Sequence, residues 1–178
     1  MTRTITILLA GLIGLAPAAA RAQQPAAAAE TRVLSVHGGY VGTAKFTQTP
    51  EGVLIEAEIS GLTPGEHGLH INEVGSCDPS SGFNTAGRHQ GSDLAPHGTM
   101  AAGGPHLGDL PNQTVGADGK LRIRLVAPKL TLSDTGPGAL LDADEASLVI
   151  DEKPDDNRSQ PLGASGKRMA CALITRAR

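Results

Sequence analysis

The stretch that best indicates the fold is residues 50–65, which read PEGVLIEAEISGLTPG. Apolar and acidic side chains alternate from Ile55 to Ile59, the period of a strand with one buried face. Proline and glycine stand on both sides of this run, and these residues mark turns. The stretch therefore predicts a strand at residues 53–59, bounded by a turn at each end.

Other parts of the chain repeat this pattern of short strands between turns. The chain has 23 glycines and 12 prolines among 178 residues, and no amphipathic helical stretch of useful length follows its N-terminal segment. It has no tryptophan, one tyrosine and two phenylalanines, so valine, leucine, isoleucine and alanine must form the core. These features favour an all-β antiparallel sandwich or barrel. The further candidate strands are residues 32–36, 40–47, 121–125, 147–150 and 170–174.

The N-terminus is typical of a secretory signal peptide. Arg3 precedes a short apolar run at residues 5–15, and Ala20-Arg21-Ala22 forms a small-x-small cleavage site. The apolar run is too short to span a bilayer comfortably, which argues against the alternative of a membrane anchor. We therefore expect a periplasmic or secreted protein without membrane contact after cleavage. Its expected parts are a signal peptide at 1–22, a flexible N-terminal tether at 23–31 and one domain at 32–178.

The charge balance argues against nucleic acid as a partner. The whole chain has 15 basic and 18 acidic side chains, and residues 1–22 contribute only Arg3 and Arg21. The remaining chain has 13 basic and 18 acidic side chains, a net charge of −5. Domains that bind nucleic acid are usually basic.

The two cysteines, Cys77 and Cys171, are 94 positions apart. Export would place them where disulfides persist. A bridge over this distance stabilises a fold by about 4–5 kcal/mol in the chain-entropy model. The alternative is a pair of free thiols.

Residues 73–109 show no strand pattern and consist largely of Gly, Ser, Pro, Asn and His. A long irregular loop in a compact domain is usually functional. Three imidazoles and one carboxylate in this loop can close a tetrahedral zinc site. The alternative is a set of scattered surface histidines. The four residues, called the quartet below, are His89, His97, His106 and Asp109.

Five further stretches form a recognisable set: GLTPGEHGLH at 61–70, GPHLGDLPN at 104–112, VGADG at 115–119, EKPDD at 152–156 and GKRMAC at 166–171. With these motifs, the chain from about residue 33 to residue 174 resembles the copper/zinc superoxide dismutase family in its exported bacterial form. It implies a flattened eight-stranded Greek-key barrel or sandwich with long metal-binding and electrostatic loops, often a homodimer.

The resemblance also implies roles for individual residues. The quartet falls at the family's zinc-ligand positions, and Cys77 and Cys171 fall at the positions of its disulfide. Asp155 matches a carboxylate that links the two metal sites through ligand histidines, which fixes their rings and tautomers. Arg168 matches the arginine that guides the superoxide anion, and His67 a buried structural histidine near the copper.

The family's copper site is altered in this chain. His70 and the bridging His89 are present, but Asn72 and Asp151 stand at two of the four histidine positions. Dismutation needs a metal that changes oxidation state, and zinc does not. Copper prefers imidazole nitrogen to amide or carboxylate oxygen. We therefore expect zinc as the cofactor, no tightly held copper, and lost or strongly reduced dismutase activity.

Several interpretations of this altered pocket stay open. His70 could be a buried histidine bonded only to protein, and Asp151 could pair with Arg168. Alternatively, His70, His89 and Asp151 could form the two-histidine, one-carboxylate set that holds Fe(II) in oxygenases.

Three functions correspond to these interpretations. The first is a noncatalytic exported zinc-binding protein. The second is a divergent dismutase that acts on superoxide with copper or another redox metal. The third is a different oxygen or redox enzyme.

Overall fold

The computed structural model describes residues 28–176, which form eight antiparallel strands and two short 3-10 turns. The 3-10 turns span Pro79–Ser81 and Asn84–Ala86. The strands are β1 (Ala28–Ser35), β2 (Tyr40–Thr49), β3 (Gly52–Ser60), β4 (Gly65–Asn72), β5 (Asp109–Val115), β6 (Lys120–Ala127), β7 (Ala146–Asp151) and β8 (Arg168–Ile174).

The strands form one sheet in the order β5-β4-β7-β8-β1-β2-β3-β6. Its two edges, β5 and β6, follow each other in the chain and approach one another, so that the barrel is nearly closed. The predicted all-β, eight-stranded Greek-key barrel is confirmed. Every strand predicted from alternation overlaps an observed strand, and residues 53–59 lie within β3. Among residues 28–176, no helix is long and apolar enough to cross a membrane.

The predicted tether at residues 23–31 is too long. Residues 28–31 belong to β1 and pair with β2 from Ala28 opposite Thr47 onward. Ala29 is buried in the core, so small apolar side chains in this segment pack on the sheet instead of remaining free. Residues 23–27 of the tether and the whole signal peptide prediction lie outside the described residues.

The core is built largely from the residue types expected. Valine, isoleucine, leucine and alanine side chains fill the barrel, with Phe46 fully buried among them. On β4, Leu69 and Ile71 enter this core while His70 and Asn72 are equally buried on the opposite face. That face of β4 lies under loops, and the candidate metal-binding side chains lie between it and those loops.

Candidate metal centre

Two loops cover the outer face of β4, β7 and β8. The first, residues 73–108, carries the three quartet histidines and leads into Asp109 at the start of β5. The second, residues 152–167, joins β7 to β8. The backbone N–H of His97 donates a hydrogen bond to Oε1 of Gln160 at 2.9 Å. The two loops are thus fastened together directly above the sheet.

A disulfide anchors the first loop to the barrel. Cys77 is bonded to Cys171 on β8, with the two Cα atoms 5.6 Å apart. Phe83 is fully buried beside this bridge, in a small cluster with Ala86 and Val149. Burial of a phenylalanine side chain contributes about 2–3 kcal/mol. The pairing expected from the resemblance is present, and it gives order to a loop that has no strand pairing of its own.

Backbone contacts then place the loop against β4. The N–H of Ile71 donates to the Gly108 carbonyl at 2.9 Å, and the Ile71 carbonyl accepts from Gln90 at 2.8 Å. A Cβ at Gly108 would lie 2.1 Å from the Ile71 oxygen. Only glycine allows this close approach, which brings His89 and Asp109 to the same end of β4.

The quartet converges on one point. The Nδ1 atoms of His89, His97 and His106 lie 2.9, 3.1 and 3.2 Å from the two oxygens of Asp109, and all four ligand atoms lie within 4.8 Å of one another. The three imidazoles are buried. Ligand atoms about 2.0–2.1 Å from a tetrahedral zinc would be about 3.3 Å apart. The spacing therefore fits a zinc ion.

The hydrogen-bond inventory supports the same interpretation. Among residues 28–176, Nδ1 of His97 and Nδ1 of His106 are buried atoms without a hydrogen-bond partner. Such orphaned groups are rare because they cost about 1–3 kcal/mol. Both atoms face the point where the quartet converges, so a bound cation would satisfy them.

The electrostatics of the quartet favour the protonation states that bind metal. Burial lowers the pKa of His89 to about 4 against the effect of its hydrogen bond with Asp109. Burial opposes ionisation of Asp109, but hydrogen bonds from His89 and the Gly98 backbone hold its pKa well below the usual range. A neutral imidazole beside an ionised carboxylate is the pair that a zinc site requires.

His70 is held between two carboxylates. Its Nδ1 lies 2.8 Å from Oδ2 of Asp151, and its Nε2 lies 2.9 Å from Oδ2 of Asp155. Burial favours the neutral ring, but the hydrogen bonds to Asp151 and Asp155 outweigh it and raise the pKa of His70 to about 9. Only the imidazolium can donate to both carboxylates at once. The ring then has no free lone pair for a metal.

The hypothesis that Asp151 pairs with Arg168 is wrong. Oδ2 of Asp151 accepts from His70 and from the Ser165 hydroxyl at 2.9 Å. Within the described part of the chain, no ion pair joins Asp151 to Arg168. Arg168 donates to the backbone carbonyls of Phe83 at 2.7 Å and Gly87 at 2.6 Å. A buried carboxylate is best satisfied by the nearest donors, and the guanidinium has carbonyl partners of its own.

The particular set of His70, His89 and Asp151 is not formed either, although His70, His97 and Asp155 form a different group of two histidines and one carboxylate. His70, His89 and Asp151 do not present a common set of ligand atoms among residues 28–176. The rings of His70 and His89 are stacked with their centroids 3.9 Å apart, and the Asp151 carboxylate faces Nδ1 of His70. Nδ1 of His70 and the Asp151 carboxylate therefore bond to each other and do not point at a common metal position.

Asp155 joins His70 to the quartet. Its Oδ2 lies 2.9 Å from Nε2 of both His70 and His97, and its Oδ1 accepts from the backbone N–H of Asn157 at 2.6 Å. Burial opposes its ionisation, but hydrogen bonds from His70 and His97 hold its pKa well below the usual range. Asn112 fixes the Asp155 backbone with two hydrogen bonds of 2.9 Å.

Asn72 leaves one polar atom unsatisfied. Its amide nitrogen donates to the Gly87 carbonyl at 3.0 Å, whereas its Oδ1 is buried without a partner in the described residues. The side chain lines a cavity of about 110 Å³ that is also bounded by His89, Asp151 and Arg168. The cavity has room for water or a small ion. It is the position where the resemblance would place copper and superoxide.

His67 contacts the backbone of Asp151, one of the residues that line this cavity. Its two ring nitrogens are 2.7 Å from the carbonyl oxygen of Asp151 and 2.8 Å from that of Thr63. Both nitrogens thereby contact the backbone, and His67 belongs to neither group of converging ligand atoms in the described residues.

Sequence reasoning missed three contributors to the site. Ser165 bonds Asp151, Asn112 holds Asp155, and the backbone of Gly87 accepts from both Asn72 and Arg168. Asn112 lies within one of the matching motifs and could have been suspected. No sequence signal marks Ser165 or a backbone carbonyl.

Comparisons with known proteins agree with this architecture. The family model described as copper/zinc superoxide dismutase matches residues 40–174. A superoxide dismutase (Cu-Zn) from Caulobacter vibrioides is 39% identical over 139 residues, 77% of this chain and 79% of that protein. Superoxide dismutase (Cu-Zn) 1 from Aquifex aeolicus is 37% identical over 143 residues, 80% of this chain and 84% of that protein. The crystal structure of a SOD-like protein from Bacillus subtilis has a TM-score of 0.76 at 34% identity, covering 82% of this chain and 97% of that chain.

Proposed function

The chain belongs to the copper/zinc superoxide dismutase family, and we propose that it is an exported zinc-binding member whose dismutase activity is absent or strongly reduced. The observation that carries this proposal is the hydrogen bond between Nδ1 of His70 and the Asp151 carboxylate, at 2.8 Å. It joins one residue that matches a copper ligand to the residue that replaces another.

The quartet supports the zinc part of the proposal. His89, His97, His106 and Asp109 would hold the ion through three Nδ1 atoms and one carboxylate oxygen. A zinc ion with four protein ligands ties loop to strand and has no open position for chemistry. Its contribution here would be to folding, since the binding free energy of a structural zinc is also folding free energy.

The altered pocket supports the loss of dismutation. Zinc does not cycle between oxidation states, so that turnover of superoxide needs a second metal. His70 has both ring nitrogens bonded to carboxylates, and Asn72 offers only an amide oxygen toward the cavity. Oxygen donors suit hard ions, whereas copper, and Cu(I) above all, prefers nitrogen and sulfur.

The disulfide supports the proposal that the protein is exported. Bridges such as Cys77–Cys171 persist in the periplasm and outside the cell and are rare in reducing compartments. Together with the predicted signal peptide at residues 1–22, this supports a periplasmic or secreted protein.

A divergent dismutase is the second candidate. The relatives from Caulobacter and Aquifex are named superoxide dismutases, and Arg168 borders the same small cavity as His89. In this alternative, a redox metal on His70 and His89 would act on superoxide, with Arg168 guiding the anion. It requires His70 to give up its bond to Asp151.

The test is superoxide decay, followed by pulse radiolysis, with the mature zinc-loaded chain after exposure to copper and removal of loosely bound metal. An active bacterial member of the family, treated in the same way, is the positive control. We expect decay at the rate of buffer alone. Decay that is faster than buffer, proportional to protein and resistant to chelator would refute the first proposal and support the second.

A further inference from the structure

A continuous chain of hydrogen bonds runs from the altered pocket to the quartet. The Ser165 hydroxyl and Nδ1 of His70 both donate to the Asp151 carboxylate. Nε2 of His70 bonds to the Asp155 carboxylate, which also bonds to Nε2 of His97. Every side chain in this series is at least 95% buried. At its far end, Nδ1 of His97 lies 3.1 Å from Asp109 and has no hydrogen bond.

The direction of the His97 ring depends on Asp155. For Nδ1 of His97 to bind a metal, its Nε2 must carry the proton and donate it to an acceptor. Asp155 is that acceptor, at 3.0 Å from one oxygen and 2.9 Å from the other. One of these oxygens, Oδ2, is shared with His70, so that movement of His70 removes a contact that orients the carboxylate.

His70 itself is oriented by Asp151. The resemblance places this histidine at a copper-ligand position. Here Nδ1 faces the Asp151 carboxylate at 2.8 Å. We infer that Asp151 is a positioning residue for zinc: acting through His70 and Asp155, it holds His97 in the metal-binding orientation without a second metal. This inference rests on the proposed zinc function of the quartet.

The surrounding backbone leaves little freedom to this series. A Cβ at Gly68 would lie 3.3 Å from Oδ2 of Asp151 and 3.1 Å from Cε1 of His70. A Cβ at Gly163 would lie 2.0 Å from Oδ1 of Asp155 and 2.6 Å from Nε2 of His97. The backbone at Gly68 and Gly163 therefore packs directly against the hydrogen-bonded side chains. If one of these side chains moved, no neighbouring side chain could take its place unless the backbone moved as well.

The test compares substitutions that separate hydrogen bonding from charge. Asp151→Leu keeps the approximate shape but removes the acceptor, whereas Asp151→Asn removes the charge and keeps polar atoms opposite His70. Glu152→Gln is the matched control, because it removes a charge at the next position from an exposed side chain. Zinc affinity is measured by competition with a chromophoric chelator, and the metal-free proteins are compared by thermal unfolding.

Direct outer partners of metal ligands usually contribute 10–100-fold to metal affinity. Asp151 acts from two hydrogen bonds further out, so we expect Asp151→Leu to weaken zinc binding about 3–10-fold. Asp151→Asn should restore most of the loss, and Glu152→Gln should bind as the parent does. The absorption spectrum of Co(II) in the quartet should change in Asp151→Leu and return toward that of the parent in Asp151→Asn.

A double-mutant cycle tests whether Asp151 acts through Asp155. In an Asp155→Asn background, Asp151→Leu should have no further effect on zinc affinity. If Asp151→Leu does not fold, Asp151→Ala, whose smaller side chain lets water reach His70, takes its place in the cycle.

The outcomes separate the inference from the function on which it rests. A parent chain that binds no zinc overturns the proposed function. A parent that binds zinc while Asp151→Leu binds equally well overturns the inference alone. Equal losses in the Leu and Asn variants would mean that charge is responsible, and full additivity with Asp155→Asn would mean that Asp151 does not act through Asp155; either result overturns the positioning role.

Discussion

The quartet and the altered pocket stand side by side under the same two loops, yet their donor atoms are used in opposite ways. In the quartet, Nδ1 of His97 and of His106 lack hydrogen-bond partners in the described structure. In the altered pocket, both ring nitrogens of His70 are bonded to carboxylates. Buried ligand atoms that converge without hydrogen-bond partners can be satisfied by a cation, whereas ligand atoms that are hydrogen-bonded to each other do not require one. The same types of residue can thus be arranged to converge on one point or to bind one another.

Breaking the disulfide tests how far the two regions depend on the loop they share. Replacing Cys77 and Cys171 by serine should lower the free energy of unfolding by about 4–5 kcal/mol, because the unfolded chain regains its freedom. Zinc affinity should fall as well, since the bridge anchors the loop that carries three of the ligands. Urea unfolding measures the first effect and chelator competition the second.

The matched control is the parent chain under a reductant. It should unfold at the same urea concentration as the double serine variant. A loss below about 1 kcal/mol would show that the loop is held by its other contacts.

Removing one quartet ligand should abolish the effect of zinc on stability. At a zinc concentration a thousand times its Kd, binding to the native state adds about 4 kcal/mol. Asp109→Asn removes the charged ligand and should reduce this gain to less than about 1 kcal/mol. Thermal unfolding with zinc and with chelator measures the difference.

The control for this substitution is Asp93→Asn, because Asp93 is an exposed carboxylate of the same loop whose partner within residues 28–176 is Arg88 alone. It should respond to zinc as the parent does. An unchanged zinc effect in Asp109→Asn would mean that the ion binds elsewhere.

Cutting the link between the two regions should have an intermediate effect. Asp155→Asn weakens the acceptor shared by His97 and His70, and should lower zinc affinity about 10–100-fold. Asp156→Asn is the control, since that neighbouring carboxylate is exposed and, in the described part of the chain, bonds only Arg158 and Ser159. Equal affinities of the two variants, measured by chelator competition, would contradict the role of Asp155.

If the altered pocket is given the histidines of the family's copper site, it should bind a metal as the quartet does. Asn72→His with Asp151→His supplies two imidazoles, which copper prefers. At equal zinc content, the double variant should retain copper and remove superoxide at least about tenfold faster than the parent. Each single variant is a control that lacks one ligand. A double variant without added copper or activity would show that the missing imidazoles are not what limits the parent.

Much of the fold could be predicted from the sequence because alternation is visible wherever a strand has one exposed face. β3 and β6 are of this kind, with charged side chains outside and Val, Ile or Leu inside. β4 is different: from His67 to Asn72 it is buried on both faces. Its outer face packs under loops, so that histidine and asparagine stand where an exposed strand would carry solvated residues. The candidate strands predicted from the sequence do not include it.

The quartet could be predicted because its ligands lie within 21 residues of sequence and in a loop without strand pattern. The partner of Asp151 could not. Asp151 and Arg168 are opposed in the pairing of β7 with β8, but the register shifts between Ile150 and Asp151. The carboxylate turns to His70 and Ser165 instead. Such a choice depends on local backbone geometry, which residue types alone do not reveal.

The metal content of the mature protein tests most directly whether the quartet binds zinc and the altered pocket binds no metal. Elemental mass spectrometry would follow equilibration with copper, iron, manganese and zinc in competition, and removal of loosely bound ions. We expect one zinc per chain and no second metal in stoichiometric amount. A redox-active metal bound at one per chain beside the zinc would contradict it, because His70 and Asp151 would then bind a metal and not each other.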